Sequence, residues 1–191
     1  MYNKLIENFL SKEECEAIIK IGESTDLQRL KSVNQNNDSS YTLSTNEDYF
    51  HKRSGSYLRE DELTIPEINS VINKTLSFLK NNPPFKGIEY ESVRALTFNK
   101  YVEGDFLKSH RDRHEIEFGA TLTIIYQLND DYEGGEVVYE IEQKEYTLPK
   151  KQGSIFLFEP NIKHGVLKLS SGVRYSLNMW PTSKASQKSL F

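Results

Sequence analysis

Ala120 to Leu128 reads ATLTIIYQL, a run of apolar and β-branched residues closed by Asn129 and Asp130, and it decides the fold class. So short a stretch, rich in Thr, Ile and Tyr, is a strand rather than a helix. Working outward, similar runs divided by Gly, Asn and Asp lie at Arg94 to Tyr101, Glu136 to Glu140, Glu145 to Leu148, Ser154 to Phe158 and Val173 to Trp180. Strands this closely spaced build a β-sandwich or barrel.

The first half reads differently. Ser11 followed three residues later by Glu14 is a capping box, and Cys15, Ile18 and Ile19 recur at helical spacing until Gly22, a C′ stop. Pro66 opens a second helix, in which Ile68, Val71, Ile72, Leu76 and Leu79 form one stripe before Pro83 and Pro84 end it. Between them, Lys31 to Asp48 keeps no period and reads as a mobile loop. Helices early and strands late give an α+β class: a double-stranded β-helix (jelly roll) with helices packed on one sheet. Residues 1–181 form a single domain, and Thr182 to Phe191 is a polar, aperiodic C-terminal tail.

At 191 residues the chain suits one domain, and 37% hydrophobic with 27% charged residues is an ordinary globular composition. No apolar run approaches the roughly 20 residues that span a bilayer, so no membrane partner is expected. Lysine plus arginine is 24 against 28 acidic residues, a net charge of -4, which argues against nucleic acid as a partner. Cys15 is the only cysteine, so a disulfide or a cysteine-built metal site within the chain is excluded and any metal must rest on His, Asp and Glu. Met1 to Phe9 lacks the pattern of a secretory signal, which makes the cytoplasm the expected location. The sequence is silent on oligomeric state.

Only four histidines are present, His51, His110, His114 and His164. In His110-Arg111-Asp112 the two side chains flanking Arg111 point to one side of an extended backbone, where both can bind one ion. Downstream, His164 stands between two strand-like runs and Arg174 follows ten residues later. Two histidines and a carboxylate on a β-scaffold make the facial triad that leaves iron positions open. Arg174 and Ser176 put a guanidinium and a hydroxyl on one strand face, a fork for a carboxylate. Asn99 and Tyr101 likewise share a face, and Asn178 repeats that of Arg174 and Ser176. The bland alternatives are a charged surface turn for His110 and Asp112, a backbone-bonded loop histidine for His164, and a surface ion pair for Arg174. Each accounts for one residue, and none for the ordered set.

The chain resembles the iron(II)- and 2-oxoglutarate-dependent dioxygenases, in their prolyl 4-hydroxylase-like branch. The resemblance rests on the run from Asn99 to Asp112, NKYVEGDFLKSHRD, on Leu128 to Glu136, LNDDYEGGE, on Pro149 to Ser154, PKKQGS, and on His164 with Arg174. Asn8 to Cys15 is similar to that branch's opening helix, and Arg53-Ser54-Gly55-Ser56 to its Arg-x-Ser segment beside the substrate groove. The resemblance implies His110, Asp112 and His164 as ligands of Fe(II), Arg174 as partner of the 2-oxoglutarate C5 carboxylate, and Tyr101 as a further cosubstrate contact, with Ser176 and Asn99 beside them. Dioxygen is the oxidant and ascorbate a supporting reductant. Where many of these enzymes carry Lys for the C5 carboxylate, this chain has Arg174 with Ser176. Where some carry Tyr before Leu-Asn, it has Gln127, a substitute polar contact. The implied activity is hydroxylation of an unactivated C–H bond in a prolyl or other peptidyl residue. The alternatives are a hydroxylase of a free amino acid or natural-product intermediate and, from another class, a cupin-like binding module that holds a metal without oxygen chemistry.

Overall fold

The computed structural model describes residues 2–24, 28–29, 33–35, 41–43, 51–58, 65–82, 90–112 and 120–183. In the first half, β1 (Asn3–Ile6) leads into α1 (Lys12–Ser24), the short strands β2 (Gln28–Arg29), β3 (Val33–Gln35), β4 (Tyr41–Leu43) and β5 (His51–Lys52), then β6 (Ser54–Leu58) and α2 (Pro66–Asn81). The elements that follow are strands: β7 (Tyr90–Tyr101), β8 (Phe106–His110), β9 (Thr123–Gln127), β10 (Glu133–Gly134), β11 (Val137–Ile141), β12 (Lys144–Thr147), β13 (Ile155–Phe158), β14 (Lys163–Val166), β15 (Leu169–Ser171) and β16 (Arg174–Ser183). Seven strands in the order β1-β13-β9-β16-β7-β6-β2 make the larger sheet, and β12-β11-β14-β8-β5 the smaller. Pairings within both are antiparallel, and the two sheets form the jelly roll of an α+β domain.

Strand alternation divides the interior into two cores. On the outer face of the larger sheet, Leu96, Phe98, Ile124, Tyr126, Ile155, Leu157, Leu177 and Met179 pack under Cys15 and Ile18 of α1 and Ile68, Val71 and Leu79 of α2. On its inner face, Tyr101, Ile125, Phe156 and Phe158 meet Leu107, Val137 and Val166 of the smaller sheet. The inner face also carries the buried polar side chains Thr97, Asn99, Thr123, Gln127, Arg174 and Ser176. No helix among the described residues is long and apolar enough to cross a membrane.

The capping box holds. The Ser11 amide donates to Glu14 Oε2 at 2.7 Å, and the Glu14 amide to Ser11 Oγ at 3.2 Å. Gly22 is not the stop, because α1 continues to Ser24. Its missing side chain serves packing instead, since a Cβ there would run into the ring of Phe98. In α2 the buried stripe is Ile68, Val71, Thr75 and Leu79, with Ile72 and Leu76 at its margins. Thr75 is admitted to the core because its hydroxyl pairs with the buried Tyr126 hydroxyl at 2.6 Å and donates to the Val71 carbonyl at 2.8 Å. Within the expected Lys31 to Asp48 loop, β3 and β4 pair with each other, and residues 31–32, 36–40 and 44–48 lie outside the described residues. The expected boundary at 181/182 falls inside β16, where Thr182 and Ser183 are buried and still paired with β7. Residues 184–191 of the expected tail lie outside the described residues.

One glycine ties the outer core together. Gly153 has φ +77°, its amide donates to the Gln127 carbonyl at 2.8 Å, and its carbonyl accepts from the Leu10 amide at 2.9 Å. A Cβ at this position would collide with the Leu10 carbonyl oxygen. Gly153→Ala is therefore expected to destabilise the fold by roughly 1–3 kcal/mol. The check is the urea midpoint, which should fall at an unchanged slope.

Candidate metal centre

The two histidines come from neighbouring strands of the smaller sheet. β14 pairs with β8 so that His164 stands opposite His110, their ring centroids 4.3 Å apart. Asp112 lies two residues beyond His110, and its amide donates to the Pro160 carbonyl at 2.9 Å, which draws the end of β8 toward the loop before β14. His110 Nδ1 lies 3.1 Å from the Lys108 carbonyl and His164 Nδ1 3.0 Å from the Ile162 carbonyl. Each contact makes Nδ1 the protonated nitrogen and leaves Nε2 as the ligand atom. Both Nε2 atoms face Asp112: His110 Nε2 is 3.3 Å from Oδ1 and His164 Nε2 3.8 Å from Oδ2.

Asp112 is held from its other side by residues of the larger sheet. Its Oδ2 accepts from the Thr123 hydroxyl at 2.6 Å and from Trp180 Nε1 at 3.1 Å. Trp180 thus orients this carboxylate through its indole N–H. Phe158 packs its ring against His164 at 4.7 Å, and His164 and Asp112 are both buried. One ligand atom from each of His110, Asp112 and His164 lies within 4.8 Å of the others. Nitrogen and oxygen ligands with a hydroxyl and an indole behind them fit a divalent first-row ion such as Fe(II).

Burial alone raises the Asp112 carboxyl. The charges of His164 and His110 and the hydrogen bonds from His110 and Thr123 outweigh it, holding the group well below the ordinary carboxylate range. Burial also pushes the His164 imidazole down to about 4, against the pull of Asp112. At neutral pH the pair therefore presents one carboxylate and one neutral imidazole, the forms a metal binds.

On the inner face of the larger sheet, Arg174 is 1% exposed and no ion pair joins it to a carboxylate among the described residues. Its Nη1 donates to Ser176 Oγ at 3.3 Å, its guanidinium lies 5.0 Å from the Tyr101 ring centroid, and Nε and Nη2 have no partner. A buried guanidinium so poorly paired is costly unless an anion completes it. The pairing registers place Gln127, Ser176 and Asn99 in one row across β9, β16 and β7, with Arg174 opposite Tyr101 in the next. Asn99 Nδ2 donates to the Thr97 carbonyl and its buried Oδ1 has no partner. Arg53 donates to the Tyr101 hydroxyl at 3.0 Å. The open Nε and Nη2 donors of Arg174 fit a carboxylate of a small dianion such as 2-oxoglutarate.

The sequence-derived residues thus fall into two groups inside the jelly roll, the triad with its histidines on the smaller sheet and the set around Arg174 on the larger. Gln127 belongs to the second, but its amide is engaged: Nε2 donates to the Pro149 carbonyl at 2.9 Å and Oε1 accepts from the Tyr132 hydroxyl at 3.3 Å. Thr123 and Tyr132 escaped the sequence reading. Thr123 carried a signal, as a polar residue in step with Gln127 on a strand otherwise apolar. His51 lies on β5, paired with Leu107 of β8, and His114 lies outside the described residues.

With this geometry in place, comparison with known proteins gives a consistent result. Residues 96–182 match the 2OG-Fe(II) oxygenase superfamily. The chain is 26% identical over 124 residues to a PKHD-type hydroxylase of Crocosphaera subtropica, covering 61% of this chain and 56% of that protein. It is 28% identical over 104 residues to one of Idiomarina loihiensis, covering 51% and 46%. The chain thus spans about half the length of these relatives. Among solved structures, a Trichoplax adhaerens prolyl hydroxylase in complex with a hypoxia inducible factor peptide superposes with a TM-score of 0.72 at 16% identity, covering 97% of this chain and 86% of that one. A Paramecium bursaria Chlorella virus-1 collagen prolyl hydroxylase with 2OG gives 0.67 at 19% identity, covering 95% and 96%. A Pseudomonas putida prolyl-4-hydroxylase gives 0.65 at 15%, covering 94% and 91%. These likenesses establish the jelly-roll fold.

Burial of His164 and Asp112 predicts a pH dependence of stability. His164 is depressed in the folded protein, so below its unfolded value of about 6.5 only the unfolded chain takes up a proton. Metal-free protein should therefore lose on the order of 2–3 kcal/mol between pH 7 and 4.5 from this group. Asp112, also depressed, adds its own loss only below about pH 4. Urea melts with a chelator present should show that His164→Gln lacks the loss above pH 4.5. Thr123→Val should weaken Mn(II) binding by roughly 10- to 100-fold without unfolding the protein.

Proposed function

We propose that this chain, which belongs to the 2OG-Fe(II) oxygenase superfamily in its prolyl hydroxylase-like branch, hydroxylates an unactivated C–H bond of a prolyl or other peptidyl residue. Fe(II) is assigned to His110, Asp112 and His164, and the C5 carboxylate of 2-oxoglutarate to Arg174. The observation that carries the reading is the conjunction of a His-Asp-His cluster, with Asp112 and His164 buried, and a buried guanidinium that no carboxylate of the described residues pairs, both inside the jelly roll. A metal-holding cupin-like module needs the first and has no use for the second.

When bound, iron with 2-oxoglutarate and dioxygen supplies an oxidative decarboxylation coupled to C–H hydroxylation. The chain's own residues supply geometry. The carbonyls of Lys108 and Ile162 fix both imidazoles with Nε2 inward, and Thr123 and Trp180 occupy Asp112 Oδ2 so that Oδ1 is presented to the metal. Arg174 binds the far end of the ketoacid, with Ser176, Asn99 and Tyr101 around it and Arg53 orienting the Tyr101 hydroxyl. Phe156 and Phe158 dry the pocket wall behind His164, which strengthens each charged contact inside.

The peptidyl assignment is supported by the solved neighbours, one of which is a prolyl hydroxylase with a peptide bound. A free amino acid or metabolite is the second reading, favoured by Arg174 with Ser176 where many prolyl hydroxylases carry Lys. Ascorbate is assigned the role of supporting reductant, and the cytoplasm is the proposed location.

Two measurements test this. Arg174→Ala should raise the 2-oxoglutarate Michaelis constant by roughly 100-fold or more while metal binding is kept, because a buried charge contact is lost. Full turnover by His164→Ala would remove the iron assignment. For the substrate, mass spectrometry of a proline-rich peptide after incubation with protein, Fe(II) and 2-oxoglutarate should show a gain of one oxygen on proline. Oxidation confined to free amino acids would select the second reading.

A further inference from the structure

A lone guanidinium satisfies only part of a carboxylate, whose two oxygens offer about four acceptor sites. Around Arg174 the Ser176 and Tyr101 hydroxyls, oriented by the bonds they accept from Nη1 and from Arg53, offer one O–H each. The position before Leu128, where the resemblance calls for a tyrosine, holds Gln127 with its amide engaged. Yet a buried phenol does stand beside Arg174, five residues further along the chain. We infer that Tyr132 is a further donor to the distal carboxylate of the ketoacid, beside Arg174, and that Gln127 is its positioning residue. This inference rests on the oxygenase reading above.

Three observations carry it. First, Tyr132 is 4% exposed, and the two side chains pack against the same glycine: a Cβ at Gly135 would stand 3.4 Å from Arg174 Cδ and 3.5 Å from Tyr132 Cε2. Burial raises the Tyr132 phenol above its ordinary range, and the nearby positive charge of Arg174 pulls it back down. Gly135, at φ +65°, supplies both the turn and the space, so Arg174 and Tyr132 share one wall. Second, the hydroxyl has a poor partner in the absence of an anion. It donates to Gln127 Oε1 at 3.3 Å, well beyond the 2.7–2.8 Å usual for such bonds. A carboxylate is a stronger acceptor, at shorter range, than a neutral amide. Third, the phenol is anchored from behind. Lys150 Nζ donates to the Tyr132 carbonyl at 2.9 Å and lies 5.1 Å from the ring centroid, while Gln127 Nε2, fixed on the Pro149 carbonyl, turns Oε1 toward the hydroxyl. Gln127 thus sets where the phenol points, and the hydroxyl absent at position 127 is supplied from position 132.

The test is calorimetric binding to protein loaded with Mn(II) in place of iron, with two ligands: 2-oxoglutarate, and 2-oxopentanoate, which ends in a methyl where the former carries its distal carboxylate. Tyr132→Phe, which keeps the ring, should weaken 2-oxoglutarate about tenfold and leave 2-oxopentanoate unchanged, as loss of one hydrogen bond to a charged group requires. Gln127→Met should weaken 2-oxoglutarate less, and should add nothing in the Tyr132→Phe background. Wild-type affinity for 2-oxoglutarate in Tyr132→Phe, or an equal loss for both ligands, overturns the role of Tyr132. Additive losses in the double variant overturn that of Gln127. If the wild-type protein binds neither ketoacid, the oxygenase reading itself fails, and the inference with it.

Discussion

Every second residue of β9 and β16 answers to a different environment. Ile124, Tyr126, Leu177 and Met179 are turned into the layer beneath the helices, while Thr123, Gln127, Arg174 and Ser176 are turned into the jelly roll. Because the period of a strand is two, a slip of one residue would bury the guanidinium under α1 and α2 and send Met179 into the pocket. The oily outer layer therefore sets the register, and the register sets the site. The Thr75 to Tyr126 hydroxyl pair adds a polar lock to that layer, the kind of buried bond that favours one packing over its neighbours.

The interior of the jelly roll holds two buried charges of opposite sign that are not paired with each other. Asp112 is compensated by His110, His164, Thr123 and Trp180, and Arg174 by a hydroxyl and an aromatic ring. Arg174 opens β16 and Trp180 lies six residues further along it, so the strand that carries the guanidinium also sends the indole that holds Asp112. Drawn together, they would neutralise each other and leave nothing to bind. Kept apart, each has bonding capacity left for something outside the chain, at a cost to the fold that the surrounding apolar core has to offset.

The sequence revealed these features unevenly, for physical reasons. β9, β13 and β16 were legible because they are buried on both faces and read as apolar runs. β8, FLKSH, and β14, KHGV, carry the two histidines and were not read as strands, since polar and glycine residues at the site dilute the β signal. The ligand types and their order were legible because His, Asp and Arg have few structural reasons to recur in that arrangement. Thr123 and Tyr132 were not, because a hydroxyl that orients another side chain obeys no spacing rule in sequence. Gly22 misled because helix ends and close packing both call for glycine, and only the position of Phe98 separates the two.

Both imidazoles are oriented by the main chain of their own segments, through the carbonyl two residues earlier, rather than by a dedicated side chain. Their tautomer is thus a property of backbone conformation, inherited with the fold and indifferent to which side chains line the groove. Lineages built on such a plan are free to exchange groove residues, and with them the molecule they recognise, while the reactive centre stays in register. Drift in specificity then carries little penalty in chemistry, and a single scaffold can diversify across substrates without reinventing its metal.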